Sequence, residues 1–364
     1  MTDKQFTLAT HGFEAARHVD ILPVGHRSRR LHGHSFQAQV RAALPAQWAN
    51  FAGAETAALR ERLAQCIAPL DYSLLNDRLA VPTDENLARW VHSQLDVPGI
   101  QTIGIQSTRN QGVDLDENGH AHIWRRFRFE AAHQLPKVPA SHQCGRMHGH
   151  GFEVILHADQ DLAEQDMGVD FDHLAACWQP LHAQLDHNCL NNISGLENPT
   201  SEVLAAWIWD RVQPTLTQLS WVTVYETATA GCHYSADTYR IWKEQSFESA
   251  LKLKGAPDSD RRHNLHGHSY VLRLHLSAPL DDVMGWTVDY GDVKEIFKPV
   301  YEQMDHHRLD HLDALEDGNA FAVLHWIRDQ MTAQLPQLDR IDLFETPGCG
   351  ALLSWGPDAP ALPA

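Results

Sequence analysis

Three histidines and a cysteine near the middle of this chain are the residue types of a metal-assisted acid–base site. They are His133, Cys144, His148 and His150, all within FEAAHQLPKVPASHQCGRMHGH from Phe129 to His150. Imidazole is a favoured ligand of Zn²⁺, and a catalytic zinc takes three protein ligands while keeping one position open. His148 and His150 are two residues apart, which on a β-strand turns both side chains to one face. His133 precedes them by a length of chain that a returning neighbour strand brings alongside. A thiol beside a cation ionises near neutral pH, so Cys144 is a candidate base or nucleophile. A His-x-His pair by itself is commonly polar filler on a strand; the third His, the Cys and the repetition described next favour the metal.

The His-Gly-His motif occurs three times, at His32/His34, His148/His150 and His266/His268. A similar pentapeptide precedes each at the same distance: FEAAR ending at Arg17, FEAAH ending at His133, FESAL ending at Leu251. Each is followed by Leu70-Asp71-Tyr72, Leu185-Asp186-His187 or Met304-Asp305-His306, and later by Gln106 in IQST, Glu226 in YETA or Glu345 in FETP. Agreement at several offsets identifies an internal triplication. The units are read as 1–119, 120–236 and 237–364. Only the middle one holds the whole set; four residues before its pair it has Cys144, where the others have Ser28 and Arg262.

A chain of 364 residues accommodates three domains of ordinary size. Its formal charge of −18 argues against a nucleic-acid partner, since phosphate binding needs clustered Lys and Arg. There is no apolar run of membrane-spanning length and no basic-then-apolar leader at the start, so neither a membrane nor an export route is expected. Six scattered Cys without a pairing pattern suit a reducing cytoplasm.

Within the middle unit, residues 123–131 and 151–158 read as strands, with His148 and His150 at the entrance of the second. Asp116-Glu117-Asn118-Gly119 is a hairpin signal joining the first unit to the second. Residues 172–185 have helical spacing, with Asp172 as the expected cap and Pro180 as a weak point. Pro199-Thr200-Ser201-Glu202 opens a second helix capped by Thr200, and Trp207 and Trp209 are expected in its core face. Residues 221–227 and the segment from His233 complete a β-β-α-α-β-β unit: an α+β fold of antiparallel sheet with two helices on one face.

These residues resemble the family of 6-pyruvoyltetrahydropterin and 6-carboxytetrahydropterin synthases, whose pattern is FxAAH, a Cys, HGH, VDF, LDH, LN, PTxE and ET. The middle unit matches each element: Phe129 to His133, Cys144, His148 to His150, Val169 to Phe171, Leu185 to His187, Leu190-Asn191, Pro199 to Glu202, and Glu226-Thr227. The close Cys-x-x-x-His-Gly-His spacing is similar to the carboxy branch. The resemblance implies a T-fold whose sheets close into a barrel with helices outside, here built by three units in one chain, so that a homodimer of such pseudo-trimeric rings would mimic the family's stacked trimers.

It further implies conversion of 7,8-dihydroneopterin triphosphate, a pterin, to 6-carboxy-5,6,7,8-tetrahydropterin, with loss of acetaldehyde and triphosphate, in queuosine-type biosynthesis. The implied zinc ligands are His133, His148 and His150, and the implied base is Cys144. Glu226, Thr227 and Thr200 are expected to bind the substrate, the Glu226 carboxylate matching the N–H edge of a pterin ring. The second acid–base group is an Asp-His pair that the family takes from a neighbouring subunit. Asp186-His187 and Asp305-His306 both remain open for that part.

Overall fold

The computed structural model describes residues 3–163, 165–236, 238–315, 317–357 and 360. Twelve long strands are numbered in chain order. The first unit has β1 (Lys4–Arg17), β2 (His32–Ala42), β3 (Ile100–Thr108) and β4 (Gln111–Asp116); the second has β5 (His120–His133), β6 (His148–Asp161), β7 (Leu219–Thr227) and β8 (Ala230–Ser235). The third has β9 (Thr238–Leu251), β10 (His266–Ser277), β11 (Leu338–Thr346) and β12 (Cys349–Ser354). Each pairs antiparallel with its sequence neighbours, and β12 returns to β1 with Leu353 opposite Gln5 and Ala351 opposite Thr7. The sheet is therefore a closed barrel, and closure leaves no long edge open to another chain.

Two helices lie between the second and third strands of every unit: α1 (Glu55–Ile67) and α2 (Asp84–Gln94), α3 (Phe171–Leu185) and α4 (Ser201–Val212), α5 (Tyr290–Met304) and α6 (Ala320–Met331). They cover the outside of the barrel. Strand alternation explains the layering. On β6, Phe152, Val154, Leu156 and Ala158 face α3 and α4 and join Leu174, Trp178, Leu204 and Ile208 in the core. His157 points the other way, into the barrel, where Thr223 bonds both His157 and His233 at 2.8 Å.

The expected element order and α+β class are observed, with differences in detail. β6 starts at His148, so the His pair lies inside the strand. The cap of α3 is Asp170, whose side chain accepts from Asp172 N–H. Asp172 does not serve as expected because it lies two positions past the cap, inside the first turn, and its carboxylate accepts from Arg27 and Arg125. α3 runs through Pro180 without ending, as α5 does through Pro299. Trp207 is buried as expected. The units meet where β4 turns into β5 and β8 into β9; the second turn includes residue 237, which lies outside the described residues. Among the described residues no helix is long and apolar enough to cross a membrane.

Candidate metal centre and active site

Strand register builds the histidine cluster. β5 and β6 pair with His133 opposite His148 and Ala131 opposite His150, so all three imidazoles share the outer face. Phe152, two residues on, packs edge-on to His133 and His150 and closes the inner end. His133 is fully buried. Its Nδ1 bonds Pro199 O at 3.0 Å, and His148 Nδ1 bonds Arg146 O at 2.8 Å. Each backbone carbonyl fixes the tautomer with Nδ1 protonated and Nε2 left as a lone-pair donor, the arrangement typical of metal-ligating histidine.

Two Nε2 atoms of the cluster, those of His133 and His150, are buried with no hydrogen-bond partner among the described residues. A buried, unpartnered nitrogen is costly in a native fold. Ligand atoms of His133, His148, His150 and Glu226 all lie within 4.8 Å of one another. Burial pushes His133 down to about 4, with the neighbouring imidazoles acting in the same direction, and burial lowers His150 as well. Both are neutral at ordinary pH, the state a metal ligand requires. The donor set fits a divalent metal.

Glu226 ends β7 on the same face, its Oε1 3.6 Å from His150 Nε2 and 3.9 Å from His133 Nε2. Ser201 Oγ donates to its Oε2 at 3.2 Å, and Ser201 in turn bonds the Tyr290 hydroxyl of the third unit at 2.9 Å. Cys144 stands in the short turn before β6. Burial raises its thiol pKa, and the charges of Glu226 and Asp289 raise it further. These influences favour the neutral thiol. Thr227 is exposed at the strand end. Thr200 is buried; it caps α4 through Val203 N–H and donates to Gly285 O, so its hydroxyl is committed to structure.

The site lies on the seam between the second and third units. Residues 284–289 run across the start of α4: Asn198 donates to Met284 O at 2.7 Å, and Thr287 N–H donates to Glu202 at 2.8 Å. Asp289 reaches His142 at 3.1 Å, and His142 Nδ1 accepts from Cys144 N–H at 3.2 Å. Sequence reasoning missed His142 and Asp289. The available signals were His142, two residues before Cys144, and the VDY of the third unit, which matches VDF in the second.

The Asp-His pairs are placed differently. Asp186 accepts from Glu130 N–H at 3.0 Å while His187 N–H donates to Glu130 O at 2.6 Å. Asp305 and His306 make the same two bonds to Glu248, and Asp71 and Tyr72 make them to Glu14. The Asp thus ties down a strand edge in every unit, which explains why it persists beside Tyr72. All three following residues hold positive φ, +49° at Tyr72, +56° at His187 and +59° at His306. These bonds occupy the edge of β9 that faces the second unit and the edge of β5 that faces the first. His187 and His306 are largely exposed, and among the described residues neither bonds the histidine cluster or Cys144.

The other two seams hold something else. In the first unit Arg17 Nη1 donates to Pro82 O at 2.9 Å and to Asp84 at 2.6 Å, so a buried ion pair fills the ligand position. His26 of the first unit turns to Asp172 and Asp170 of the second unit at 3.2 and 3.6 Å, beside Arg27 and Arg125. Register also corrects the expected match of Gln106 with Glu226. Gln106 pairs with Gln37 as Tyr225 pairs with Glu153, so Ser107 is the true counterpart of Glu226. In the third unit Leu251 supplies no donor at the His133 position.

Comparison with known proteins agrees with this architecture. The sequence profile of the family described as 6-pyruvoyl tetrahydropterin synthase matches three times, at residues 8–117, 122–237 and 240–354. A 6-carboxy-5,6,7,8-tetrahydropterin synthase of Synechocystis sp. is 40% identical over 119 residues, covering 31% of this chain and 91% of that protein. A dihydroneopterin monophosphate aldolase of Pyrococcus furiosus is 31% identical over 119 residues, covering 32% and 97%. The structure of 6-pyruvoyl tetrahydropterin synthase from Caenorhabditis elegans aligns with a TM-score of 0.30 and 20% identity over 32% of this chain and 96% of that one.

Proposed function

The chain belongs to the 6-pyruvoyl tetrahydropterin synthase family, and from that premise we propose that it is a zinc-dependent 6-carboxy-5,6,7,8-tetrahydropterin synthase with one working site per chain. The observation that carries the proposal is the convergence of His133, His148 and His150 beside Cys144 and Glu226, in the middle unit alone. The 40% identity of the Synechocystis relative, over a span of this size, supports the carboxy product.

His133, His148 and His150 would hold the zinc through Nε2. When bound, the ion supplies a Lewis acid that binds side-chain hydroxyls and makes neighbouring C–H bonds more acidic. Cys144, on its turn before β6, takes up a proton from the substrate side chain as general base. Asp305-His306 serves the opposite side, the carboxylate orienting the imidazole through their 2.8 Å contact. Its support is position: the pair fills the edge of β9 that faces the second unit. Glu226 receives the N–H edge of the pterin ring, and Ser201 holds its other oxygen. This role leaves the fourth metal position open, as catalysis requires. A homodimer of stacked rings in the cytoplasm is the form in which we expect it to act.

The test is product analysis on 7,8-dihydroneopterin triphosphate with the zinc-loaded protein, alongside Glu226→Gln. Expected are acetaldehyde and 6-carboxytetrahydropterin from the wild type. The variant should have full metal content and a higher KM. A pyruvoyl product would move the chain to the other branch. Loss of metal in Glu226→Gln would make Glu226 a ligand and overturn its role in recognition.

A further inference from the structure

Among the described residues, the seam between the third and first units holds neither a cluster of possible metal ligands nor an ion pair like that of Arg17. It holds a cavity of about 1510 Å³. Its lining includes Leu251, His266, His268 and Glu345 from the third unit and the α1 face from the first. Three substitutions relative to the second unit shape it. Leu251 replaces the first histidine and removes metal binding. Ala320 stands where Ser201 does, so the hydroxyl that holds Glu226 has no counterpart. Arg262 replaces Cys144, so a fixed cation stands where the base would be.

The consequence is a carboxylate without the serine that holds Glu226, with the charge of Arg262 acting on it. Glu345 ends β11 as Glu226 ends β7, with Phe344 opposite Val271 as Tyr225 is opposite Glu153. Among the described residues no hydrogen bond or ion pair engages its carboxylate. Burial pushes Glu345 up to about 7, and Glu55 adds to the rise. Arg262 lies over the Phe51 ring at 4.7 Å and is bidentate to Asp260, yet its Nη1 is buried without a partner. Arg60, Arg62 and Arg261 also line the cavity together with Glu61 and Asp260, while Ala57, Ala58 and Ala64 leave space on the α1 wall. An acceptor at the floor, cations at the side and open volume between them suit a flat heterocycle with an N–H donor edge and an anionic chain.

We propose that this cavity is a second, metal-free pterin-binding site that binds without turning over. The Glu345 carboxylate takes the donor edge of the ring. Arg262 and Arg60 take the phosphorylated chain. The site lacks the metal ligands and the thiol, so the ring leaves as it entered. The proposal rests on the reading of Glu226 as the pterin anchor of the catalytic site.

The experiment measures binding stoichiometry of oxidised, fluorescent neopterin triphosphate to the full chain by equilibrium titration. Wild type should bind two equivalents, and Glu226→Gln and Glu345→Gln about one each. A lost charge-assisted contact weakens binding by roughly tenfold to a hundredfold. Ala57→Trp fills the cavity from the α1 side without touching Glu345 and should also remove one equivalent while leaving turnover intact. Chelation of the metal should spare the equivalent that remains in Glu226→Gln. One equivalent in wild type, lost in Glu226→Gln and kept in Glu345→Gln and Ala57→Trp, overturns the second site and leaves the catalytic reading standing. No binding to wild type overturns both.

Discussion

Arg17 and His133 hold the same place in successive units: Arg17 Nη1 donates to Pro82 O at 2.9 Å, and His133 Nδ1 bonds Pro199 O at 3.0 Å. Each carbonyl belongs to the proline before the second helix of its own unit. A second exchange accompanies the first. In the second unit Ser201 on the helix donates to Glu226 on the strand at 3.2 Å; in the first, Ser107 on the strand donates to Asp84 on the helix at 2.6 Å. Acid and alcohol have traded sides, and the relocated acid pairs with the guanidinium. The first unit thus has an internal cation where the second has histidines that could hold a metal.

Metal stoichiometry follows. Purified protein should contain one zinc per chain, and His148→Ala should contain essentially none. His133→Arg combined with Ser201→Asp transplants the ion pair of the first unit and should give a folded, zinc-free protein. Elemental analysis with circular dichroism checks this. Three zincs per chain in wild type would contradict it.

Removing the internal cation should cost stability. Asp84 is buried and accepts from Arg17 and Ser107. Arg17→Leu leaves its charge with only the serine, a loss of about 3–5 kcal/mol. Arg17→Leu with Asp84→Leu should recover most of that. Denaturant unfolding of both variants measures the difference, and equal instability of the two would show that the pair is not the cause.

Cys144→Ala should keep its metal and fold and lose on the order of 10²–10⁴ in kcat, the usual contribution of a positioned base. Near-normal turnover would place the base elsewhere, and His142, bonded to Asp289, would be the next group to substitute.

The Asp-His assignment is decided by His306→Ala and His187→Ala assayed side by side. With the third unit serving the site, His306→Ala should lose most activity and His187→Ala little. A large loss in His187→Ala with none in His306→Ala would assign the pair of the second unit, reached from another chain.

A pH effect should come from Glu202, which accepts from Thr287 N–H at 2.8 Å. Burial raises it from 4.5 to about 7, opposed by the Thr287 bonds. The folded state therefore binds this proton more tightly than the unfolded state. Its contribution to stability is complete below pH 4.5, falls as pH rises toward 7 and is level above that. Glu202→Gln keeps an acceptor for Thr287 without the charge. Its stability relative to wild type should grow across that window by up to on the order of 3 kcal/mol. A constant difference from pH 4 to pH 8 would remove Glu202 as the source.

The triplication, the element order of each unit and the three histidines that could hold a metal were legible in the residue pattern. These are consequences of local periodicity: alternation sets the face of His148 and His150, and antiparallel return sets His133 opposite His148. The pattern also showed Leu251 and Arg17 as losses of a ligand. What replaced the ligand emerged from contacts in the folded chain. Arg17 meets Asp84, and Asp289 meets His142, across long stretches of chain, and no periodicity carries such distances. The match of Ser107 with Glu226 needed strand register, because a one-residue slip exchanges the two faces of a strand. The shared bonding of Asp71, Asp186 and Asp305 needed the backbone of the strand edge, which separates the structural role of each Asp from the chemistry of the residue after it.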